Sequence, residues 1–279
     1  MTASVTVVIV SYESADVLAE ALAALPKGLD VIVVDNNSQD HSVSIAERAG
    51  ATVICNDKNL GFGTACNQGA AATTGEFILF LNPDARVSAS ALDALAAELS
   101  DQSDLAATGP LLESDGQISL PRAATMMEPE RPATFPTIPS EPVDTGFLSG
   151  AALLVRRSAF EKIGGFDEKI FLYLEDDDLC LRLRECGFRL RLIPSAVVQH
   201  EKEPNAKSSG GSLRFRNLHT NRSTCYLSQK HDVPIGFDKM RRKAWRRLIL
   251  ALLTFDRVRI HVNIGRLQGL DAWPFDRFG

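Results

Sequence analysis

The sequence predicts an α/β fold in which a mostly parallel central sheet is flanked by helices. Short runs of β-branched residues, such as VTVVIV (5–10) and DVIVVD (30–35), are typical of strands that are buried on both faces. Each run is followed by a segment with apolar residues at helical spacing. Strands that alternate with helices build parallel sheets, because each helix returns the chain to the same edge.

Four such units occupy the first hundred residues. The predicted strands are 5–10, 30–35, 51–54 and 76–81, and the predicted helices are 15–25, 42–50, 63–74 and 88–99. Ser14 is positioned to cap the first helix, since a serine hydroxyl accepts hydrogen bonds from backbone N–H groups there. Residues 110–145 contain seven prolines and predict a long irregular loop.

Three regions are expected along the chain. Residues 1–100 and 101–212 form the two halves of one α/β domain, and FRLRLIP (188–194) returns to a strand in the second half. Residues 201–212 predict a mobile loop. Residues 213–279 predict a helical, basic C-terminal extension.

Bulk properties narrow the function classes. The net charge of −5 argues against general nucleic-acid binding. The five cysteines lack the paired spacing of a metal site, so we expect free buried thiols in a reducing compartment. The chain opens on a strand-like pattern without a basic leader, and no apolar run approaches the roughly 20 residues of a membrane span. We therefore expect a cytoplasmic protein.

Polar side chains follow all four predicted strands. The segments concerned are Ser11-Tyr12-Glu13, Asp35-Asn36-Asn37-Ser38, NDKNLGFGTACNQG (56–69) and Asn82-Pro83-Asp84. The carboxyl ends of parallel strands share one edge of the sheet, where ligands bind, so these groups should converge on one crevice. Each group alone is more often a cap or a turn. Gly61-Phe62-Gly63 begins like a dinucleotide fingerprint, but Cys66 stands where a third glycine is required.

Four consecutive acids, Glu175 to Asp178, precede an apolar helical stripe that ends before Gly187. They should lie in the first turn of that helix. Its dipole and free N–H groups favour anions there by about 0.3–1 kcal/mol each. Capping accounts for one or two acids but not easily for four, which favours a functional role for the others.

Several motifs occur together in a characteristic order. They are VVIVSY, VVDNNSQD, NLGFGTACNQG, FLNPDA, FLSGAALLVRR, GGFDEKIFLYLEDDDLCLRLRECGFRLRLIP and VVQH. Over residues 4–230 the chain resembles family 2 glycosyltransferases of the bacterial rhamnosyltransferase-like branch. The resemblance implies a GT-A fold, a nucleotide-sugar donor, a divalent cation (Mg²⁺ or Mn²⁺) and inversion at the anomeric carbon. Residues 1–100 would then bind the nucleotide sugar, and residues 101–212 would bind metal and acceptor.

The resemblance also implies donor-binding residues. Asp35 resembles the acid that hydrogen-bonds the base, with Ser11 and Tyr12 lining the base. Arg222, in HTNRSTCY, could pair with the leaving diphosphate, since arginine suits that geometry; a plain surface arginine is an equal alternative. The predicted donor-binding set is Ser11, Tyr12, Glu13, Asp35, Asn37, Asn59, Gly63, Asn67, Asn82 and Arg222.

The metal and catalytic positions are carried over in the same way. Asn82-Pro83-Asp84 resembles the Asp-x-Asp metal motif with its first acid replaced, so Asp84 would ligate the cation through a hard oxygen. His200 matches a metal or diphosphate contact, although a lone histidine is more often structural. Asp176 is the expected general base and Glu175 its catalytic partner, whereas Asp177 is assigned to solvent or capping.

The function implied is transfer of a sugar, most directly rhamnose from dTDP-rhamnose, to a glycan or a lipid-linked acceptor. A UDP-sugar donor stays open. Two alternatives are a non-catalytic sugar-nucleotide-binding protein and a sugar-nucleotide pyrophosphorylase. The second needs a glycine-rich phosphate loop with a basic residue after the first strand, and SYESAD (11–16) offers none.

The segment KMRRKAWRRLILALL (239–253) predicts an amphipathic helix. Its apolar face comprises Met240, Ala244, Trp245, Leu248, Ile249 and Leu252, and its basic residues are Lys239, Arg241, Arg242, Lys243, Arg246 and Arg247. Such a helix can lie on an anionic membrane, here the inner face of the plasma membrane. Packing on the domain with a solvated basic face is an equal alternative.

Overall fold

The computed structural model describes residues 4–201 and 210–271. Of these, residues 4–169 and 175–201 form one compact unit, and residues 170–174 and 210–271 belong to a second. The predicted mobile loop at 201–212 falls largely on residues 202–209, outside the described residues. Its predicted end was placed too late, because a helix already begins at Gly210.

The first unit is an α/β structure. Its strands are β1 (Val5–Ser11), β2 (Asp30–Asp35), β3 (Thr52–Cys55), β4 (Phe77–Leu81), β5 (Ala85–Arg86), β6 (Leu105–Ser114), β7 (Gln117–Ile118), β8 (Val143–Asp144), β9 (Ala152–Arg156) and β10 (Arg189–His200). Its helices are α1 (Ala15–Ala24), α2 (Ser42–Arg48), α3 (Phe62–Ala71), α4 (Ala89–Asp101), α5 (Arg157–Lys162) and α6 (Glu175–Glu185). The predicted strands and helices of the first hundred residues are confirmed, with small shifts at their ends.

The strands form one sheet in the order β3-β2-β1-β4-β9-β6-β10-β5, with β7 paired to β6 and β8 paired to β10. The pairs β1–β2, β2–β3, β1–β4 and β6–β10 are parallel. β9 lies antiparallel between β4 and β6. The residues that follow β1, β2 and β4 therefore share one edge with those that precede β9.

The strand sequences explain how the sheet is covered. In β1, Val7 and Ile9 pack on one face, against residues of α1, α2 and α4. Val8 and Val10 pack on the other face, against residues of α3, α5 and α6. Continuous apolar strands are required because both faces of the sheet are buried.

Three local predictions need correction. Ser14 is the N-cap residue of α1 as predicted, but its hydroxyl accepts no hydrogen bond from the helix; the Ala15 N–H donates to Asp40 Oδ2 at 2.9 Å. The irregular stretch is shorter than predicted, because β6 continues to Ser114; we call residues 119–142 the proline-rich segment. All five cysteines are free, but Cys55 and Cys186 are exposed rather than buried.

The second unit contains the predicted C-terminal helices: α7 (Gly210–Lys230), α8 (Phe237–Leu253) and α9 (Arg257–Asp271). Gly265 and Gly269, one turn apart on α9, lie directly against the backbone of α7. A Cβ atom at either position would overlap the carbonyl oxygen of Arg214 or Leu218. No helix between residues 4 and 201 or between 210 and 271 has the length and hydropathy needed to cross a bilayer.

We expect Gly269→Ala to lower the free energy of unfolding by about 1–3 kcal/mol, because a methyl group there forces α7 and α9 apart. Val258→Ala, a change at a 54% exposed position on the same helix, should stay within about 0.5 kcal/mol. Urea titration of both variants measures the difference. Equal stabilities would mean that the two helices separate without cost.

Candidate active site

The ends of β1 and β2 form the first part of the site. Ser11 and Asp35 are register partners in the parallel ladder, and both are buried. Asp35 shapes the following loop, because its two carboxylate oxygens accept hydrogen bonds from Ser38 N at 2.8 Å and Ser38 Oγ at 2.6 Å. Ser11 Oγ is buried with no hydrogen-bond partner. The convergence of these two strand ends is as predicted.

The loops after β1 and β2 hold each other in place. Glu13 Oε1 accepts the Gln39 N–H at 2.8 Å, and the Glu13 N–H donates to Ser38 Oγ at 2.9 Å. Glu13 and Asn37 have left-handed φ values of 50° and 66°. Tyr12 and Asn37 are exposed beside this junction. Glu13 therefore positions the loops, while Tyr12 and Asn37 present their side chains to solvent.

The residues after β3 make capping and packing contacts within the fold. Asn67 brackets the backbone of Phe166, accepting its N–H and donating to its carbonyl, both at 2.9 Å. A Cβ at Gly63 would lie 3.0 Å from Phe166 Cβ, so this glycine allows close packing. Asn59 Oδ1 accepts the Gly61 N–H at 2.9 Å at the start of α3. Gly63 and Asn67 thus attach α3 to Phe166, and their predicted place in the donor site stays a prediction.

A buried polar link that the sequence did not reveal connects β2 with α3. Asn36 donates to the Gly61 carbonyl at 3.1 Å and accepts from Asn56 Nδ2 at 2.9 Å. Asn56 in turn donates to Gln68 Oε1 at 2.8 Å. The run of polar residues after β2 was visible, but its partners are 20 or more residues away. This network fixes the crevice wall.

Asn82, Asp84 and His200 come together at the same edge of the sheet. The antiparallel pairing of Ala85 with His200 places the end of β10 beside the residues that follow β4. His200 Nε2 lies 3.3 Å from Asp84 Oδ1 and 3.2 Å from Asn82 Nδ2. Both Asp84 and His200 remain about one quarter exposed, at 24% and 23%. The two predicted metal-binding residues are therefore neighbours.

The side chains at this place suit a hard divalent cation whose remaining ligands are substrate phosphates and water. Among residues 4–201 and 210–271, no group of three or more His, Cys, Asp and Glu side chains is arranged to hold a metal ion. Mg²⁺ is commonly bound by one or two carboxylates together with substrate phosphates and water. The Asp84 carboxylate fits that pattern, and His200 adds an imidazole nitrogen, which is a softer ligand than Mg²⁺ prefers.

The first turn of α6 presents one acid to a cleft. Asp176 accepts the Gly150 N–H at 3.0 Å and the Asp177 N–H at 3.0 Å, and it is partly exposed. It lines a cleft of about 310 Å³ together with Arg122 and Phe147. Gly150 precedes β9, which places this acid at the edge of the sheet that carries the other site residues.

The remaining acids are buried and differ in their partners. Glu175 Oε2 has no hydrogen-bond partner. Asp177 accepts both arms of Arg122, at 2.6 and 3.0 Å, and Asp178 pairs with Arg182 Nε at 2.7 Å. The assignment of Asp177 to solvent or capping is wrong, because its side chain is buried in a bidentate ion pair.

Burial and mutual repulsion change the acidity of the first two acids. The pKa of Glu175 is raised by its burial and then by the charge of Asp176. The pKa of Asp176 is also raised, by desolvation and by the charge of Asp177, against the Gly150 N–H and Arg122. A carboxylate with a raised pKa is a better proton acceptor, so Asp176 is suited to general base catalysis.

The backbone before α6 is strained. Tyr173 and Leu174 have φ values of 67° and 69°, in the left-handed region that favours glycine. Non-glycine residues in this region cost on the order of 1 kcal/mol or more each and are concentrated at functional sites.

Arg222 lies on α7 in the second unit. Its role in donor binding stays a prediction.

A sheet of this order, with polar strand ends and an acidic helix at one edge, defines the GT-A class of glycosyltransferase folds. GalNAc-T7, solved with UDP, GalNAc and Mn²⁺, matches 99% of this chain and 57% of its own with a TM-score of 0.67 at 15% identity. A mannosyltransferase from Pyrobaculum calidifontis, solved with GDP-Man and Mn²⁺, matches 100% of this chain and 89% of its own with a TM-score of 0.62 at 15% identity.

The chain belongs to glycosyl transferase family 2, whose model matches residues 6–164. The model for the N-terminal domain of galactosyltransferase matches residues 143–204. The N-acetylglucosaminyl-diphospho-decaprenol L-rhamnosyltransferase of Mycobacterium tuberculosis is 32% identical, covering 83% of this chain and 86% of the relative. Rhamnosyltransferase WbbL of Escherichia coli is 38% identical, covering 30% of this chain and 31% of the relative. This protein is a glycosyltransferase.

Proposed function

We propose that this enzyme transfers rhamnose from dTDP-rhamnose, with inversion, to a sugar carried on a polyprenyl diphosphate. The observation that carries the chemistry is the partly exposed carboxylate of Asp176, which has a raised pKa and lines a cleft at the strand-end edge. The donor and acceptor classes are supported by the rhamnosyltransferase named among the relatives.

Ser11 and Asp35 are the proposed base-binding pair. Ser11 Oγ is buried without a partner, and a ligand could supply one at this position. The exposed ring of Tyr12 and the exposed amide of Asn37 would cover the nucleoside. Residues 1–100 would bind the nucleotide sugar, and residues 101–212 would supply the metal-binding and acceptor-binding groups. A UDP-sugar would use the same contacts.

Asp84 and His200 would hold a Mg²⁺ or Mn²⁺ ion, which when bound stabilises negative charge on the donor's diphosphate. Asn82 Nδ2 lies 3.2 Å from His200 Nε2, and because that nitrogen has a single lone pair, an ion bound to it would replace this contact. Asn82 is also tied to the cleft, because its N–H donates to the Ala151 carbonyl at 2.9 Å, next to Gly150.

Asp176 would take the proton of the acceptor hydroxyl as that oxygen attacks the anomeric carbon. The new bond joins carbon to the acceptor oxygen, and the bond to the diphosphate oxygen breaks on the opposite face. The hydrogen bonds from Gly150 and Asp177 aim the carboxylate, and each of its oxygens keeps a second lone pair. Glu175, with its raised pKa, keeps its proton to a higher pH than an ordinary glutamic acid and limits the charge beside the base.

The test is release of dTDP from dTDP-rhamnose when a short-chain prenyl diphosphate that carries N-acetylglucosamine is added. The proposal is supported if dTDP release depends on the acceptor and if the anomeric configuration of the new linkage is opposite to that of the donor. Tight donor binding without any release would instead indicate a sugar-nucleotide-binding protein. Release of UDP from a UDP-sugar, with no release of dTDP from dTDP-rhamnose, would show that the donor is a UDP-sugar.

A peripheral membrane contact would suit a lipid-linked acceptor, and α8 is the proposed surface. Its predicted apolar face is divided in the structure: Ala244 and Leu248 pack against α9, whereas Trp245, Ile249 and Leu252 are exposed. Leu253 is 72% exposed. The helix carries six basic residues against one acid, Asp238. Exposed apolar groups beside a dense positive charge suit an anionic bilayer surface.

We expect the triple variant Arg242→Gln/Lys243→Gln/Arg246→Gln to bind anionic vesicles about 100-fold more weakly, at about 1 kcal/mol for each charge. Vesicles with 30 mol% phosphatidylserine at low salt are the probe in a co-sedimentation assay. The control is a second triple variant with exposed charges removed from the first unit: Lys27→Gln, Arg48→Gln and Lys58→Gln. If wild-type protein does not bind these vesicles at low salt, α8 is an ordinary packed helix with a solvated basic face or contacts another protein.

A further inference from the structure

The proline-rich segment reaches α6 through two ion pairs of opposite polarity. Arg122 binds Asp177 with both arms, at 2.6 and 3.0 Å. The second pair lies further along the helix and has its charges reversed: Glu128 Oε2 is 2.7 Å from Arg184 Nη2. Only the first pair adjoins the cleft that Asp176 lines. The segment is therefore attached to the catalytic helix at two separable points.

Arg122 is held for this contact from three sides. Its guanidinium lies over the Phe147 ring, 3.7 Å from the centroid, and its Nη2 also donates to the Ala124 carbonyl at 3.2 Å. The Asp177 side chain is only 1% exposed, and within residues 4–201 and 210–271 the guanidinium of Arg122 is the positive group paired with it. The Met126 N–H, at 2.6 Å, adds a neutral hydrogen bond.

We propose that Arg122 is a positioning residue for the transfer reaction. It neutralises the buried Asp177, so that the negative charge of the helix turn can be carried by Asp176 in the cleft. Without it, nothing on the guanidinium side would offset the repulsion between two adjacent carboxylates on one turn, and Asp176 would hold its proton to a higher pH. The inference rests on the proposed role of Asp176 as the base.

Several groups set the ionisation of Asp176, and each must be included in the test. On α6 they are Glu175, Asp177 and Cys180; from other elements they are Arg122 and, facing Glu175, Cys66 on α3. Both thiols are buried and their pKa values are raised, so they are neutral in the working range. The charges that can change the balance are therefore the carboxylates and Arg122.

Removing either partner of the Arg122–Asp177 ion pair should shift the titration of Asp176, and the two shifts should be opposite in direction. Arg122→Met should raise the pH at which Asp176 titrates by about one unit or more, because the attractive charge of the guanidinium is lost. Asp177→Asn should lower it, because a repulsive charge is lost and Arg122 stays. The double variant Arg122→Met/Asp177→Asn should return it towards the wild-type value. A purely structural tie would not produce this sign pattern.

The readout is the carboxyl ¹³C titration of aspartate-labelled protein, with the Asp176 signal identified by its absence in Asp176→Asn. It needs no substrate, so it decides the inference even if the proposed donor and acceptor prove wrong. Where turnover is measurable, Arg122→Met should be about tenfold slower one pH unit below the wild-type midpoint and should recover at high pH. The double variant leaves no buried charge unpaired and keeps the test open if Arg122→Met does not fold.

Glu128→Gln is the matched control, since it breaks the other ion pair between the same two elements and leaves Arg122–Asp177 intact. Its Asp176 titration should match wild type. Unchanged titration in both Arg122→Met and Asp177→Asn, or a shift in Glu128→Gln as large as in Arg122→Met, would overturn the proposal. In either case Arg122 would serve only to attach the proline-rich segment.

Discussion

Replacing Asp176 with Asn is expected to reduce turnover by about 10²–10⁴-fold, the usual contribution of a general base. Donor affinity should change little, because the carboxamide keeps the shape of the side chain and can still accept the Gly150 N–H. The measurement is steady-state turnover at saturating dTDP-rhamnose, with circular dichroism to confirm folding. Wild-type turnover should rise with pH through the raised pKa of Asp176, since the base acts only when ionised.

Asp178→Asn is a control on the same helix turn. Asp178 is buried and pairs with Arg182, whose guanidinium also holds the carbonyls of Ile163 and Gly165 at 2.9 and 2.8 Å. Its loss should lower stability, while turnover per folded molecule stays within about tenfold of wild type. A fully active Asp176→Asn enzyme would exclude Asp176 as the base, and Glu175 would be the next residue to test.

Replacing Asp84 with Ala should weaken donor binding by at least about 10–100-fold in the presence of Mn²⁺, the range seen when groups that merely support metal ligands are lost. Binding measured in EDTA should be nearly unchanged, because the carboxylate would act through the cation. Isothermal titration with dTDP under both conditions gives the comparison. The short Asp84–His200 distance of 3.3 Å motivates the prediction.

Asp93→Ala, which removes an exposed carboxylate from α4, is the control for a general effect of charge. It should alter neither measurement. Equal losses of affinity with Mn²⁺ and with EDTA in Asp84→Ala would remove Asp84 from the metal ligands. A loss confined to the EDTA condition would also contradict the assignment.

Strand and helix positions were accessible from the sequence because they follow from local periodicity. The runs at 5–10 and 30–35 became β1 and β2, and the acids before Leu179 became the first turn of α6. The adjacency of the polar strand ends also followed, since parallel strands bring their carboxyl ends to one edge. Asp84 and His200 were singled out from motifs, although their contact depends on a pairing between β5 and β10.

Some contacts could not be foreseen because the partner is distant along the chain. Phe166, 99 residues after Asn67, takes both ends of the Asn67 amide. Asp177 looked like an exposed cap, but Arg122, 55 residues earlier, forms its ion pair. No local pattern marks Arg122, which lies in an irregular stretch without periodicity.

The sequence by itself determined the α/β class, the edge of the sheet that carries the polar residues and the concentration of acids on α6. These depend on side-chain periodicity and on short-range backbone geometry. Only the tertiary structure decided which of the four acids faces the cleft and which are neutralised. The free energy of a carboxylate depends on its burial and on charges within a few ångströms, and those neighbours are supplied by folding rather than by adjacency in the chain.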